Sequence, residues 1–414
     1  MINERSIKAC ESSRFGPFCK PLYDSYGFNR IPHTVEALFG GKKEAALPSD
    51  CYVEDDYDYV LLFFIDSFGW RYFEQFSSQF PFLKRFIEEG IVSKITSQFP
   101  STTSNHVTNI HTGLQVGESG LYEWFYYDPL VDASICPLRF SYTKDKGFNT
   151  LKKAGFTAEA LFPFETIYSR LKRAGIQSIA FQESETARSP YSERMFIDAE
   201  LIGIKNLPDG LNKLLQRLER LREKSYLFFY YGDIDGKGHE FGPESKEVAD
   251  EIANCFTRLE QFFQQLSKIK KKGLVMVTAD HGMIRIHPET TWYINRDLPE
   301  AIPLIKKNAK GELIAPCGSA RDMFLHIETS ALPLLKKALA NIAEVYPTNE
   351  LIQNGLFGPV TDRFLQRVGN VVILPLGENS CWWYDPVRFE TPYNGHHGGL
   401  SKQEAETIFL TLQT

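Results

Sequence analysis

The chain is 414 residues long, 43% hydrophobic and 14% aromatic, with a formal net charge of −6. That length and apolar content suffice for a large core and exclude a disordered chain. The interleaved charge signs leave no electrostatic footprint for nucleic acid or an anionic membrane, while a small, partly anionic substrate stays open.

No stretch approaches the ~20 apolar residues that span a bilayer. The amino-terminal run MINERSIKACESSRFG carries charges where a signal peptide needs apolar residues, so the expectation is a soluble, unexported, cytoplasmic protein. Seven cysteines without CxxC spacing read as reduced thiols, and Cys255 in IANCF reads as a core residue.

In chain order, residues 1–56 form a mixed extension expected to pack on the core, with one helix in RIPHTVEALFGG ending at its glycine pair. From YDYVLLFFID at Tyr57 onward, apolar runs alternate with amphipathic ones. The runs IQSIAFQ, YLFFYYGDID, GLVMVTADHG and VGNVVILPL read as strands, and LNKLLQRLERLREK and VADEIANCFTRLEQFFQQLSKI as helices. Continuous apolar strands between helices predict an α/β fold with a mainly parallel central sheet covered by helices on both faces. Residues 57–414 are therefore expected to form one catalytic domain, with a small inserted lobe at about 284–320 where Pro, Asn and Trp interrupt the rhythm.

Ligands of open parallel sheets bind beyond the carboxyl ends of the strands. Three strands end in acids there: Asp66, the pair Asp233 and Asp235, and Asp280. A lone Asp at such a point usually caps the next helix. Two of these acids have histidines close by, His281 directly after Asp280 and His239 four residues after Asp235, and the pair His396 and His397 lies in the glycine-rich GHHGG. Carboxylate oxygen with imidazole nitrogen suits zinc or a similar first-row ion, and the glycines let each loop fold tightly. His106 and His111 read as packing or solvent residues.

DGKGHEFGP resembles the D-x-x-G-H-x-x-G-P element of the nucleotide pyrophosphatase/phosphodiesterase branch (type I phosphodiesterases) of the alkaline phosphatase superfamily. TADHGM and NGHHGG are similar to that family's D-H-G and G-x-H-G elements, and Asp66 falls at its first strand-ending aspartate. The resemblance spans Asp66 to Gly398 and implies an alkaline phosphatase-like fold. Its nucleophile, a Thr or Ser, stands three residues after a proline and ten before the glycine of T-G-L. Pro100 and Gly113 both select Thr103 within FPSTTSNHVTNIHTG.

Carried over residue by residue, the resemblance implies two divalent metal ions, zinc or else manganese. Asp66, Thr103, Asp280 and His281 would surround one, while Asp235, His239 and His397 would hold the other. It further implies hydrolysis of a small phosphodiester or a nucleotide pyrophosphate through a phospho-threonine. A phosphomonoesterase or phosphonate hydrolase would share these seven residues; an inactive metal-binding scaffold is the further alternative, which loss of even one ligand would favour, and none is missing. CGSAR at Cys317 is only weakly similar to the sulfatase C-x-P-x-R element and stands after the D-H pair instead of before it.

SGLYEWFYYDP matches the family segment after T-G-L, except that Glu123 and Trp124 occupy the positions of a Gly-Asn pair beside the phosphoryl group. Tyr122, Glu123 and Trp124 are accordingly the expected substrate contacts. The aromatic run from Tyr122 either stacks on a base or aryl group or belongs to the core. A Glu123 carboxylate facing the phosphoryl group would disfavour a doubly charged monoester.

Overall fold

The computed structural model describes residues 1–145, 147–385 and 392–414. Seven strands build the central sheet: β1 (Tyr59–Ile65), β2 (Ile91–Thr96), β3 (Gln177–Glu183), β4 (Glu200–Ile204), β5 (Ser225–Tyr231), β6 (Gly273–Thr278) and β7 (Glu406–Gln413). Their order is β2-β7-β6-β1-β5-β3-β4. Only β7 runs against its neighbours, so the other six strands present their carboxyl ends at one edge.

Alternation along β1 shows why the strands read as continuous apolar runs. Val60, Leu62 and Phe64 enter one core cluster, while Tyr59, Leu61, Phe63 and Ile65 enter the cluster on the opposite face. The second face is covered by the helices Leu207–Arg220 and Lys246–Leu266, which start on the capping side chains of Asn206 and Ser245. In the longer helix Val248, Ile252, Cys255, Phe256, Leu259, Phe262, Phe263 and Leu266 form the buried stripe. All seven cysteines are buried and free. No helix among the described residues is long and apolar enough to cross a membrane.

The amino-terminal extension packs on the core through Phe18, Tyr26, Phe28, Ile31 and Val35, and its helix Ile31–Leu38 stops just before Gly40, where φ is +89°. It also covers the sheet edge: Asn3 N–H donates to the Val92 carbonyl, and Thr96 N–H donates to that of Tyr26, each at 2.8 Å. The exposed side of β2 is thereby partly closed to other chains.

A second sheet with its own apolar cluster, together called the lobe, stands apart from the central sheet and draws on residues before and after position 320. A four-stranded antiparallel sheet is ordered Cys317–Ser319, Asp322–Leu325, Val371–Pro375, Ala343–Pro347, and a separate apolar cluster extends from Ile294 to Trp382. VGNVVILPL therefore belongs to this sheet and not to the central one. Val372 and Leu374 face the main core, whereas Val371 and Ile373 face the lobe cluster. A short run buried on both faces has the same residue pattern in either setting.

Candidate active site

Five segments meet at the carboxyl edge of the sheet. Asp66 follows β1 directly, Asp280 and His281 follow β6, and Asp235 and His239 lie on the helix Asp233–Phe241 after β5. Thr103 is the first residue of the helix Thr103–Thr112 after β2, and His397 follows the short strand Gly395–His396. Donor atoms of Asp66, Asp280 and His281 lie within 4.8 Å of one another, as do those of Asp235, His239 and His397. The first trio is buried, and the second is only partly covered at Asp235 and His239.

The Thr103 hydroxyl lies 3.4 and 3.5 Å from the two Asp66 oxygens and 3.2 Å from His281 Nε2. Its place in the first helical turn puts it in the favourable field of the helix amino terminus. Tyr230 donates to Asp66 Oδ2 at 2.5 Å, a contact the sequence analysis missed. Its signal was a hydroxyl-bearing residue near the carboxyl end of an otherwise apolar strand.

Each clustered histidine has its Nδ1 against a main-chain carbonyl: His239 against Gly395 at 2.9 Å, His281 against Gly282 at 3.0 Å and His397 against Ser101 at 2.9 Å. Nδ1–H donation fixes the tautomer and leaves each Nε2 lone pair for the cluster centre. Burial drives His281 and His397 well below the usual histidine range, so both rings remain neutral.

Burial also pushes Asp66 well above the carboxylate range, with Asp280 and Asp235 adding repulsion, and takes Asp280 up to about 7. Asp235 is raised by burial and partly restored by His239. Among the described residues no Lys or Arg pairs with any of these acids; their ion-pair partners are histidines. Asp235 Oδ1 and Asp280 Oδ2 have no hydrogen-bond donor. Convergent imidazoles and uncompensated carboxylates form a donor set that fits two divalent cations.

The glycines of these elements have steric reasons. A side chain at Gly395 would collide with the Gly238 carbonyl, and Gly398 has φ +124° with the Asp322 carboxylate against it. The segment bearing His397 thus seats on the helix bearing Asp235 and His239 through bare backbone at Gly395.

The remaining expected residues divide. Trp124 lines the clefts on both sides of Thr103. Tyr122 does not: it is fully buried among Tyr126, Phe324 and Phe364, because its ring completes the core beneath the lobe sheet. Glu123 borders one cleft but is fully buried, and its carboxylate accepts the Trp124 N–H. Burial raises it to about 7, and burial together with the Glu123 charge pushes Asp322 well above the carboxylate range.

Asp233 is exposed and outside both clusters. His396 is buried beside His397, whose N–H it accepts at 2.9 Å. His106 and His111 are fully or nearly buried packing residues. His106 accepts the Gln98 N–H at 2.8 Å and donates to the Thr102 carbonyl at 2.7 Å, tying the end of β2 to the residue before Thr103.

The sheet order and these strand-end loops define an alkaline phosphatase-like protein. Murine ectonucleotide pyrophosphatase/phosphodiesterase 5 superposes with a TM-score of 0.62 at 18% identity, covering 85% of this chain and 87% of that one. It is also known as an inactive threonine-to-alanine form in complex with AMP.

The chain belongs to the type I phosphodiesterase/nucleotide pyrophosphatase family, whose profile matches residues 60–375. Human ectonucleotide pyrophosphatase/phosphodiesterase family member 5 is 23% identical over 249 residues, 57% of this chain and 47% of that protein. Alkaline phosphatase PhoV of Synechococcus elongatus is 26% identical over 137 residues, 30% of this chain and 25% of that protein. The matches thus span about half or less of these curated relatives.

Proposed function

We propose that the chain hydrolyses phosphodiester or pyrophosphate bonds of a small nucleotide-like substrate, with Thr103 as nucleophile. The observation that carries this reading is the Thr103 hydroxyl, 3.2 Å from His281 Nε2 and 3.4 Å from Asp66 at a helix amino terminus. A threonine hydroxyl alone is a weak nucleophile at neutral pH. When bound by Asp66, Asp280 and His281 and by Asp235, His239 and His397, two zinc or manganese ions would supply the charge that favours the alkoxide and neutralises the phosphoryl oxygens.

Thr103 Oγ forms the bond to phosphorus, its proton passes to solvent, and the bond to the leaving oxygen breaks on the opposite side. Water then cleaves the phospho-threonine and restores the hydroxyl. Tyr230 orients Asp66, and the backbone carbonyls of Ser101, Gly282 and Gly395 orient the histidines.

A panel of aryl diesters, aryl monoesters, dinucleotides and phosphonates, assayed with zinc, manganese or magnesium, tests the reading. Turnover of a diester or pyrophosphate that a chelator abolishes is expected. Turnover confined to monoesters would favour a phosphatase, an alternative supported by the cyanobacterial relative and by the upward shift of the buried Glu123 carboxyl.

A further inference from the structure

We propose that Arg139 binds a second phosphate of the substrate, next to the one attacked by Thr103, and so directs the chain toward pyrophosphate-linked substrates over simple diesters. This rests on the phosphodiesterase reading above and assigns a specificity-determining residue to it.

Two cavities of about 250 and 360 Å³ flank the nucleophile, and among the described residues both are lined by Thr103, Trp124 and Arg139. The first continues between aromatic and hydroxyl side chains, among them Phe148, Tyr191, Phe228 and Tyr230. It suits a flat, mostly apolar group. The second contains Asp235, His239 and His397. A phosphorus atom placed for attack by Thr103 therefore has a substituent path on either side, and Arg139 stands where the two paths meet.

Among the described residues that line either cavity, Arg139 is the one Lys or Arg. Its guanidinium lies 5.9 Å from the Trp124 ring centre and 5.4 Å from that of Phe148. It has no carboxylate partner among the described residues, and the residue is exposed. The backbone is held in place, since Asn149 N–H and the Ser141 hydroxyl donate to the Arg139 carbonyl at 3.0 and 2.9 Å. Two aromatic faces restrain the side chain while its donors stay available. A planar cation in that condition suits bidentate binding of a phosphate. An aryl diester, whose single phosphate is taken up at Thr103, leaves Arg139 without an anion; a pyrophosphate-linked substrate supplies one.

The test compares Arg139→Gln and Arg139→Lys with the unaltered chain on a dinucleoside triphosphate and on a nitrophenyl nucleotide diester, both with zinc. We expect Arg139→Gln to lower the ratio of the two kcat/KM values at least tenfold, through KM of the triphosphate, and Arg139→Lys to recover part of it. In a second arm, Thr103→Ala protein is titrated calorimetrically with ADP and AMP. The tighter binding of ADP should disappear when Arg139→Gln is added. An unchanged kcat/KM ratio together with an unchanged ADP-to-AMP affinity ratio would overturn the proposal. A chain that hydrolyses neither substrate would overturn the phosphodiesterase reading instead, and the binding arm would still decide the role of Arg139.

Discussion

The imidazole rings of His281 and His397 stack face to face, 3.7 Å between centroids and 14° from parallel, although they belong to different candidate metal clusters. Two positive rings would repel at that separation, whereas burial keeps both neutral and both Nε2 atoms unprotonated. The stack therefore joins the two clusters into one site.

This arrangement predicts the metal content. The unaltered chain should carry two zinc-like ions, and His397→Ala should lower that to about one while activity falls by at least ~100-fold. Elemental analysis after growth with zinc measures the first quantity. Chelator treatment should abolish turnover, with zinc or manganese restoring it; full activity in chelator would contradict the assignment.

Thr103→Ala should lower turnover by ~3 orders of magnitude or more, because the hydroxyl and its contacts with Asp66 and His281 disappear together. Thr103→Ser should retain measurable activity. Thr102→Ala serves as the register control and should stay active; an inactive Thr102→Ala beside an active Thr103→Ala would move the nucleophile by one residue.

Legibility in the sequence followed the range of the physical constraint. Asp235 and His239 share one helix, and Asp280 and His281 are adjacent, so short spacing was enough to pair them. Gly395 and Gly398 mark backbone contacts that exclude a side chain. Tyr122 and Trp124 stand two residues apart in one aromatic run, yet one is core and the other lines the cleft. Nothing in their local pattern separates them, because the lobe sheet that covers Tyr122 comes from Phe324, far along the chain. Arg139 is an exposed loop residue without periodicity, and only the fold places it beside Thr103.

Stability should fall on the acid side, with a slope set partly by His106 and His111. Burial takes both down to about 3 from an ordinary value of 6.5. The unfolded chain therefore binds protons first: the stabilisation is fully present above about pH 6.5 and is lost progressively as pH falls toward 3. Replacing His111 by Gln, which retains a polar partner for the Tyr168 hydroxyl, should flatten the fall of Tm between about pH 6 and 4. Thermal unfolding at a series of pH values, in chelator to remove the metal contribution, makes the comparison. An unchanged slope would mean that His111 is not neutral and buried in solution.

The final prediction concerns Arg321 and Glu404, which are 1% and 0% exposed. Two guanidinium nitrogens donate to the two Glu404 oxygens at 3.1 and 3.0 Å. Glu404 also accepts from Gly399 N–H at 3.0 Å and from the Ser401 hydroxyl at 2.6 Å. The Gly399 carbonyl accepts from Ser101 Oγ at 2.7 Å, and the Ser101 carbonyl accepts from His397 Nδ1. A buried ion pair thus fixes the loop that aims His397. Glu404→Ala should destabilise the fold by about 3–5 kcal/mol, since it strands a buried guanidinium. Replacing both partners by apolar residues, Arg321→Met with Glu404→Leu, should recover much of that loss. Metal affinity distinguishes the two roles: the double variant should fold while still binding the Asp235, His239 and His397 ion more weakly, because Gly399 has lost its acceptor. Native zinc affinity in a well-folded double variant would show that the pair contributes to stability alone.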